Sequence, residues 1–365
     1  MTKSLKTLAL ATASVFALGV GAASASDLTI TSWGGAYTAS QQKAYGAPWE
    51  TKTGKKIHWE NYNGGLGEIK TQVESGKVTW DIVDILPDQA RTGCDEGLFE
   101  EIPDDILVKT KDGKTLDEDL MVPRPNKCVA PQVWWSYVPF YDETLLKGDK
   151  PTSMADFYDV KKWDCKRGIH TWGNANIEMA LVADGVDPKK VYEVMSTEEG
   201  IDRAFKKLDT IKDHVVFWSS GAKPLELVKS GEVCMSIAYN GRVGAAVLSE
   251  GEKFVTIWDG QVLEEEWIAV VKGSPNKELA FNFIGFATAP EQQAGQAKFI
   301  NYGPMRQSAF DIMKAGEPWF HNGKTIMEHM PNRPEVMARS VFANPEWWAD
   351  NGDEVNERFK AWMAK

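Results

Sequence analysis

VWWSYVPFY, residues 133–141, and EEEWIAVV, residues 264–271, are the two apolar, aromatic stretches on which the architecture turns. Each stands between blocks whose apolar pattern alternates between strand and helix. Ahead of the first, a strand over Asp27–Ser32 ends in Trp33-Gly34-Gly35, and a helix begins near Tyr37. A strand near Lys56–Tyr62, a helix near Leu66–Ser75 and an apolar strand over Asp81–Leu86, interrupted by Asp84, complete that block. Strand–helix–strand–helix–strand is the pattern of a mostly parallel sheet between helices. Between the two stretches the pattern recurs. It has a strand at Arg167–Thr171, a helix from Ile177 to Ala183 and an amphipathic helix at Thr197–Ile211, with Ile201, Ala204, Phe205 and Leu208 at helical spacing. A helix at Pro224–Ser230 and a strand at Val233–Tyr239 close it. Helices at Lys277–Thr288 and Glu291–Lys298 and a Trp-rich C-terminal region follow. Two crossings between two α/β blocks predict two lobes joined by a two-stranded hinge. One lobe comprises 26–135 and 266–310, the other 136–265 and 311–365. Opening and closing about the two crossings is the expected motion.

The first residues read as a secretory signal over 1–25. Lys3 and Lys6 give a positive start, Leu8–Val20 is mostly apolar, and Ala23-Ser24-Ala25 fits a cleavage site. The expected destination is the periplasm. A formal charge of −11 argues against a nucleic-acid partner, which needs clustered Lys and Arg.

Four cysteines in an exported chain suggest two disulfides, with three possible pairings. Proximity and lobe membership favour Cys94 with Cys128, and Cys165 with Cys234. No CxxC or HxxxH spacing supports a metal site, and no cofactor motif is present. P-loop, HExxH and GxSxG motifs are likewise missing, so the chain does not read as an enzyme. A secreted hydrolase working through carboxylates is the enzymatic alternative.

SWGGAY (32–37), WETKTGKKI (49–57), GEVCMSIAYNGR (231–242), KGSPNKELAFNFIGFATAPEQQ (272–293) and NYGPMRQSA (301–309) together resemble the polyamine-type branch of bacterial extracellular solute-binding proteins. These are receptors of ABC importers, typified by spermidine/putrescine-binding proteins. The resemblance covers essentially the whole chain after the signal. It implies a type II periplasmic-binding-protein fold, a small cationic ligand held between lobes, an inner-membrane ABC permease as partner, and a monomer. Sensing through a membrane chemoreceptor would use the same fold. The family pattern places aromatic residues at Trp33, Tyr37, Tyr239 and Tyr302, and a carboxylate at Glu266. One departure matters: where polyamine binders carry an acidic pair, this chain reads His170-Thr-Trp172-Gly-Asn-Ala-Asn176, with Glu178 a turn further on. A methylated ammonium compound or an amino-acid-like zwitterion is therefore the alternative to putrescine or spermidine.

The residues themselves offer the same chemistry. An aromatic face attracts a cation by ~0.5–2 kcal/mol, and this chain carries 15 Trp. Trp33 lies at the carboxyl end of a strand, where open α/β sheets bind ligands. Trp172 occupies the equivalent turn of the second block. Trp134 and Trp135 are adjacent on a strand and face opposite sides; one of them faces the cleft, and Trp134 is carried as the candidate. Glu264 and Glu266 share a strand face by the period of two. Asp84 and Asp88 stand near the cleft edge. Arg242 and Arg306 could hold a ligand carboxylate, but an ion pair between the lobes is the favoured reading for both.

Overall fold

A computed structural model describes residues 27–365; the signal-like stretch 1–25 lies outside them. Eleven strands form the frame: β1 (Leu28–Ser32), β2 (Ile57–Asn61), β3 (Ile82–Ile85), β4 (Val129–Asp142), β5 (Arg167–His170), β6 (Val215–Trp218), β7 (Met235–Tyr239), β8 (Phe254–Thr256), β9 (Val262–Val270), β10 (Gly303–Pro304) and β11 (Val341–Phe342). The main order is β2-β1-β3-β9-β4-β7-β5-β6, with β8 and β10 on β4 and β11 on β9. In each half three strands run parallel, β2-β1-β3 and β7-β5-β6, and a long antiparallel strand closes the set. The long strands β4 and β9 pair with each other and belong to both halves. These are the two quoted stretches, and the chain has two α/β lobes joined by a two-stranded hinge.

Both faces of the sheet are covered, so strands read as continuous apolar runs rather than alternating ones. In the first half Ile30, Ile82, Ile268 and Val270 pack to one side with Trp49 and Phe283. Val83, Ile85, Trp267 and Ala269 pack to the other with Trp80 and Phe99. All 14 residues of β4 are buried. Pro131 is tolerated because a bulge separates it from Val133 and interrupts the ladder there.

The predicted amphipathic helix runs over Glu198–Asp209. The Thr197 side chain caps it by accepting from the Gly200 N–H, and Ile201, Ala204, Phe205 and Leu208 are buried. The Trp-rich end is a helix, Pro345–Ala364, capped by Asn344, whose Val355, Phe359 and Trp362 pack into the core of the second half. Strand β6 was not anticipated. Its sequence, VVFW, is too short to separate strand from helix by period, and only pairing with β5 settles it.

Two disulfides, Cys94–Cys128 and Cys165–Cys234, tie each half. Cys94 lies near the end of the helix Pro87–Asp95 and Cys128 just before β4; Cys165 and Cys234 precede β5 and β7. Arg306 departs from its favoured reading. Its buried guanidinium pairs with buried Asp119 at 2.7 Å and donates to the Thr288 carbonyl at 3.0 Å, all within the first half of the fold. It bridges nothing between lobes and does not reach the cleft.

Candidate functional site

Parallel strands leave their carboxyl ends on one edge, and the two halves turn those edges toward each other. The residues that follow the strands therefore converge: Trp33 after β1, Asn63 after β2, Leu86 after β3, Trp172 after β5, Ser219 after β6. They line a cavity of about 670 Å³, counting its open mouth. Tyr37, Tyr62, Trp135, Tyr137, Tyr239 and Tyr302 complete its aromatic walls.

The walls interlock. Trp33 stacks on Tyr62 with ring centres 4.8 Å apart, in space left by Gly64, whose Cβ would stand 3.0 Å from the indole. Tyr37 faces Tyr302 at 5.7 Å, and Trp135, Tyr137 and Tyr239 meet one another at 4.9–5.4 Å. Trp172 stands half-open at the mouth, packed on His170. Its backbone N–H donates to His170 Nδ1 at 2.9 Å, and burial pushes that imidazole down to about 3. A neutral ring therefore supports the turn.

Two charged groups line the cavity. Glu266, on β9, accepts from Trp33 Nε1 at 2.8 Å through one carboxylate oxygen. Burial, followed by the nearby Asp84, pushes its pKa well above the ordinary carboxylate range. Arg242 follows β7 and reaches across to the first half, donating from Nη2 toward the carbonyl of Trp33 at 3.3 Å; its buried Nε has no partner. It forms no ion pair among the described residues, contrary to the favoured reading. Two glycines make its space: a Cβ at Gly35 or at Gly221 would come within 2.6 Å of the guanidinium. Gly35 also holds a φ of 57°, which favours glycine.

Most sequence candidates meet here: Trp33, Tyr37, Trp172, Tyr239, Glu266 and Tyr302 all line the cavity. Two do not. Trp135, not Trp134, faces it; Trp134 turns to the other side of β4 and lines a second cavity. Asp84 is fully buried behind the wall, accepting from Gln41 Nε2 at 2.8 Å, and burial raises it to about 7. Glu264 and Glu266 do not share a cavity either. Glu264 borders the second one with Glu265, although the ladder from Glu264 to Glu266 is regular and the bulge lies beyond Glu266. Glu178 is also out of reach, held by Tyr192 Oη at 2.8 Å and Trp348 Nε1 at 2.7 Å. Tyr62 and Tyr137 are aromatic lining residues that strand and helix patterning passed over, while Arg242 and Trp135 were weighed from the sequence and placed only by the structure. The glycines at 35 and 221 were the available signal for Arg242.

The sequence profile of the bacterial extracellular solute-binding proteins matches residues 44–328. The chain belongs to that family. This solute-binding protein is 38% identical over 356 residues to a gamma-aminobutyric acid-binding protein of Pseudomonas aeruginosa, covering 96% of each chain. Among solved structures it is similar to a periplasmic binding protein of A. tumefaciens B6 in complex with glucopine. The identity is 29% and the TM-score 0.80, over 92% of this chain and 99% of that one. It is also similar to a gamma-aminobutyric acid (GABA) receptor at 31% identity and TM-score 0.77, over 93% and 98%. A spermidine/putrescine-binding protein of Streptococcus pneumoniae shares the fold at 16% identity and TM-score 0.65. The protein is thus the substrate-binding component of an ABC transporter, not an enzyme: it takes a small ligand and works with a membrane permease. No helix among the described residues is long and apolar enough to cross a membrane.

Buried carboxyls give the unliganded protein a definite pH response. Burial raises both Asp84 and Glu178 to about 7, against unfolded values of about 4. Between those values the folded chain holds protons that the unfolded chain has released, so stability falls as pH rises through about 4 to 7. The thermal midpoint of the unliganded protein should decline from about pH 5 to pH 8. Affinity for an ammonium ligand should rise with pH, because burial holds the Glu266 proton above the ordinary carboxylate range and the ligand needs the ionised form. Differential scanning calorimetry and titration calorimetry at several pH values read both. A midpoint that climbs across the window contradicts the burial of these groups.

Proposed function

We propose that this receptor captures a small zwitterion with its amine and carboxylate at opposite ends, the ω-amino acid class to which GABA belongs. The observation that carries the reading is the pairing, in one aromatic cavity, of one carboxylate, Glu266, with one guanidinium, Arg242, that has no acidic partner among the described residues. Glu266, with Trp33, Tyr37 and Tyr302, receives the ammonium; Arg242, beside Tyr239, receives the carboxylate. Trp135 and Trp172 cover the connecting chain. Similarity to two proteins whose names say that they bind GABA supports the same class.

A polyamine is the second reading, favoured by the resemblance in the strand-end motifs. It asks for a second carboxylate where this cavity offers Arg242, and Glu178 is held elsewhere. The discriminating measurement is calorimetric titration with GABA, its shorter and longer homologues, putrescine, butylamine and butyrate. GABA-type zwitterions should bind with putrescine weaker by about 100-fold, since a second ammonium facing a guanidinium costs several kcal/mol. Putrescine binding tighter than every zwitterion overturns the reading. Glu266→Gln should weaken zwitterions while leaving the fold intact.

The lobes close on this ligand as units, 26–135 with 266–310 and 136–265 with 311–365. The chain acts in the periplasm as a monomer after losing the signal-like stretch 1–25.

A further inference from the structure

A second cavity lies beside the crossing strands, lined by Trp134 where the first is lined by Trp135. Its acids come from two places: Asp88 from the helix Pro87–Asp95 of the first half, and Glu264 and Glu265 from β9. Asn174 and Trp348 close it from the second half. Among the described residues no lysine, arginine or histidine lines it. The nearby Arg91 is bonded to Glu346 at 3.1 Å. Glu265 is partly satisfied, accepting from Trp267 Nε1 at 3.0 Å.

Glu264 is the anomaly. It is only 8% exposed, it borders the cavity, and no described residue hydrogen-bonds its carboxylate. The acids around it, Asp88, Glu178 and Glu265, add repulsion rather than compensation. A buried carboxylate with neither a cation nor a donor is costly. The remaining lining is indole and aliphatic surface, the surroundings in which carboxylate and aromatic groups together take an organic ammonium.

We propose that this cavity is a second binding site, for a primary ammonium ion held by Glu264, with Asp88 and Glu265 as further acceptors and the indoles of Trp134 and Trp348 as walls. Its lining comes from both halves and from the hinge, so an ion bound here stabilises the arrangement in which the lobes meet. Binding at this site therefore raises affinity at the cleft, and the coupling is reciprocal. The proposal does not depend on which solute the cleft takes.

The test uses the full mature chain without cleft ligand, at about pH 8, where ordinary carboxyls are ionised. Its thermal midpoint is followed against methylammonium chloride, with tetramethylammonium chloride at equal ionic strength as control. Methylammonium should raise the midpoint in a saturating way beyond the control. Glu264→Gln should weaken that response by about tenfold or more, as loss of a charge-assisted hydrogen bond does. Glu266→Gln, which removes the share of the response that belongs to the cleft, should leave a saturating part in place, and that part should be lost on adding Glu264→Gln. Asp88→Asn gives a second reading, a smaller loss, if Glu264→Gln folds poorly. Equal effects of the two salts overturn the proposal. So does a response that survives both substitutions together, or one that vanishes in Glu266→Gln and so belongs to the cleft.

Discussion

Replacing Arg242 with alanine is expected to lower affinity for a GABA-type zwitterion by roughly 100-fold, since truncating one partner of a buried charge pair costs about 2–5 kcal/mol. Three features concentrate the effect in this residue. Its Nε is buried and unpartnered, no carboxylate among the described residues engages it, and Gly35 and Gly221 leave it space that any Cβ would take. Arg242 also touches the Trp33 carbonyl across the cleft, so part of the loss could come from lobe contact rather than ligand. Butylamine separates the two contributions: lacking a carboxylate, it should bind wild type and Arg242→Ala about equally. Titration calorimetry with both ligands reads the difference. Equal losses for the two ligands would make Arg242 a lobe contact; no loss for either would remove it from the site.

The largest effect on stability is expected at Arg306 and Asp119. Both side chains are buried and their ion pair measures 2.7 Å. Asp119 also accepts from the Ser308 N–H at 2.9 Å, so the pair fastens the segment after β10 to the segment before β4. Asp119→Ala leaves a guanidinium buried without its counter-charge and should cost about 3–5 kcal/mol. Replacing both residues with apolar ones of similar volume should recover much of that loss, because the desolvation of two ions is then avoided. Thermal unfolding of the single and double variants measures it. Neither residue lines the cleft cavity, so ligand affinity of the folded single variant should stay close to wild type. A single variant as stable as wild type would mean the pair is not a buried one.

Much of the fold was legible because it is written in local pattern. The apolar runs at β1, β3, β4 and β9 and the 3.6-residue spacing of Ile201, Ala204, Phe205 and Leu208 name their elements without help from the rest of the chain. Trp33 and Trp172 could be picked out for one reason, that residues just beyond parallel strands gather at a cleft, while Tyr37, Tyr239 and Tyr302 came from the family resemblance. Failures came where a side chain's direction depends on more than its strand. Trp134 and Trp135 are opposite by the period of two, but nothing local says which side the cleft takes. Glu264 and Glu266 share a side on an ideal strand and border different cavities in the fold. Asp84 has the sequence context of a cleft residue and is buried behind it by Gln41.

The sequence by itself determined two α/β blocks, two crossings between them and an aromatic set at strand ends, because each follows from composition and spacing over a few residues. Only the tertiary structure decided the charge pattern of the cavity. Among the described residues no acid comes to Arg242, Arg306 is consumed because Asp119 pairs with it, and Glu178 is lost to Tyr192 and Trp348. Those partners lie far apart in the chain. Which charge remains uncompensated, and hence which solute the cleft can take, depends on how the two halves come together.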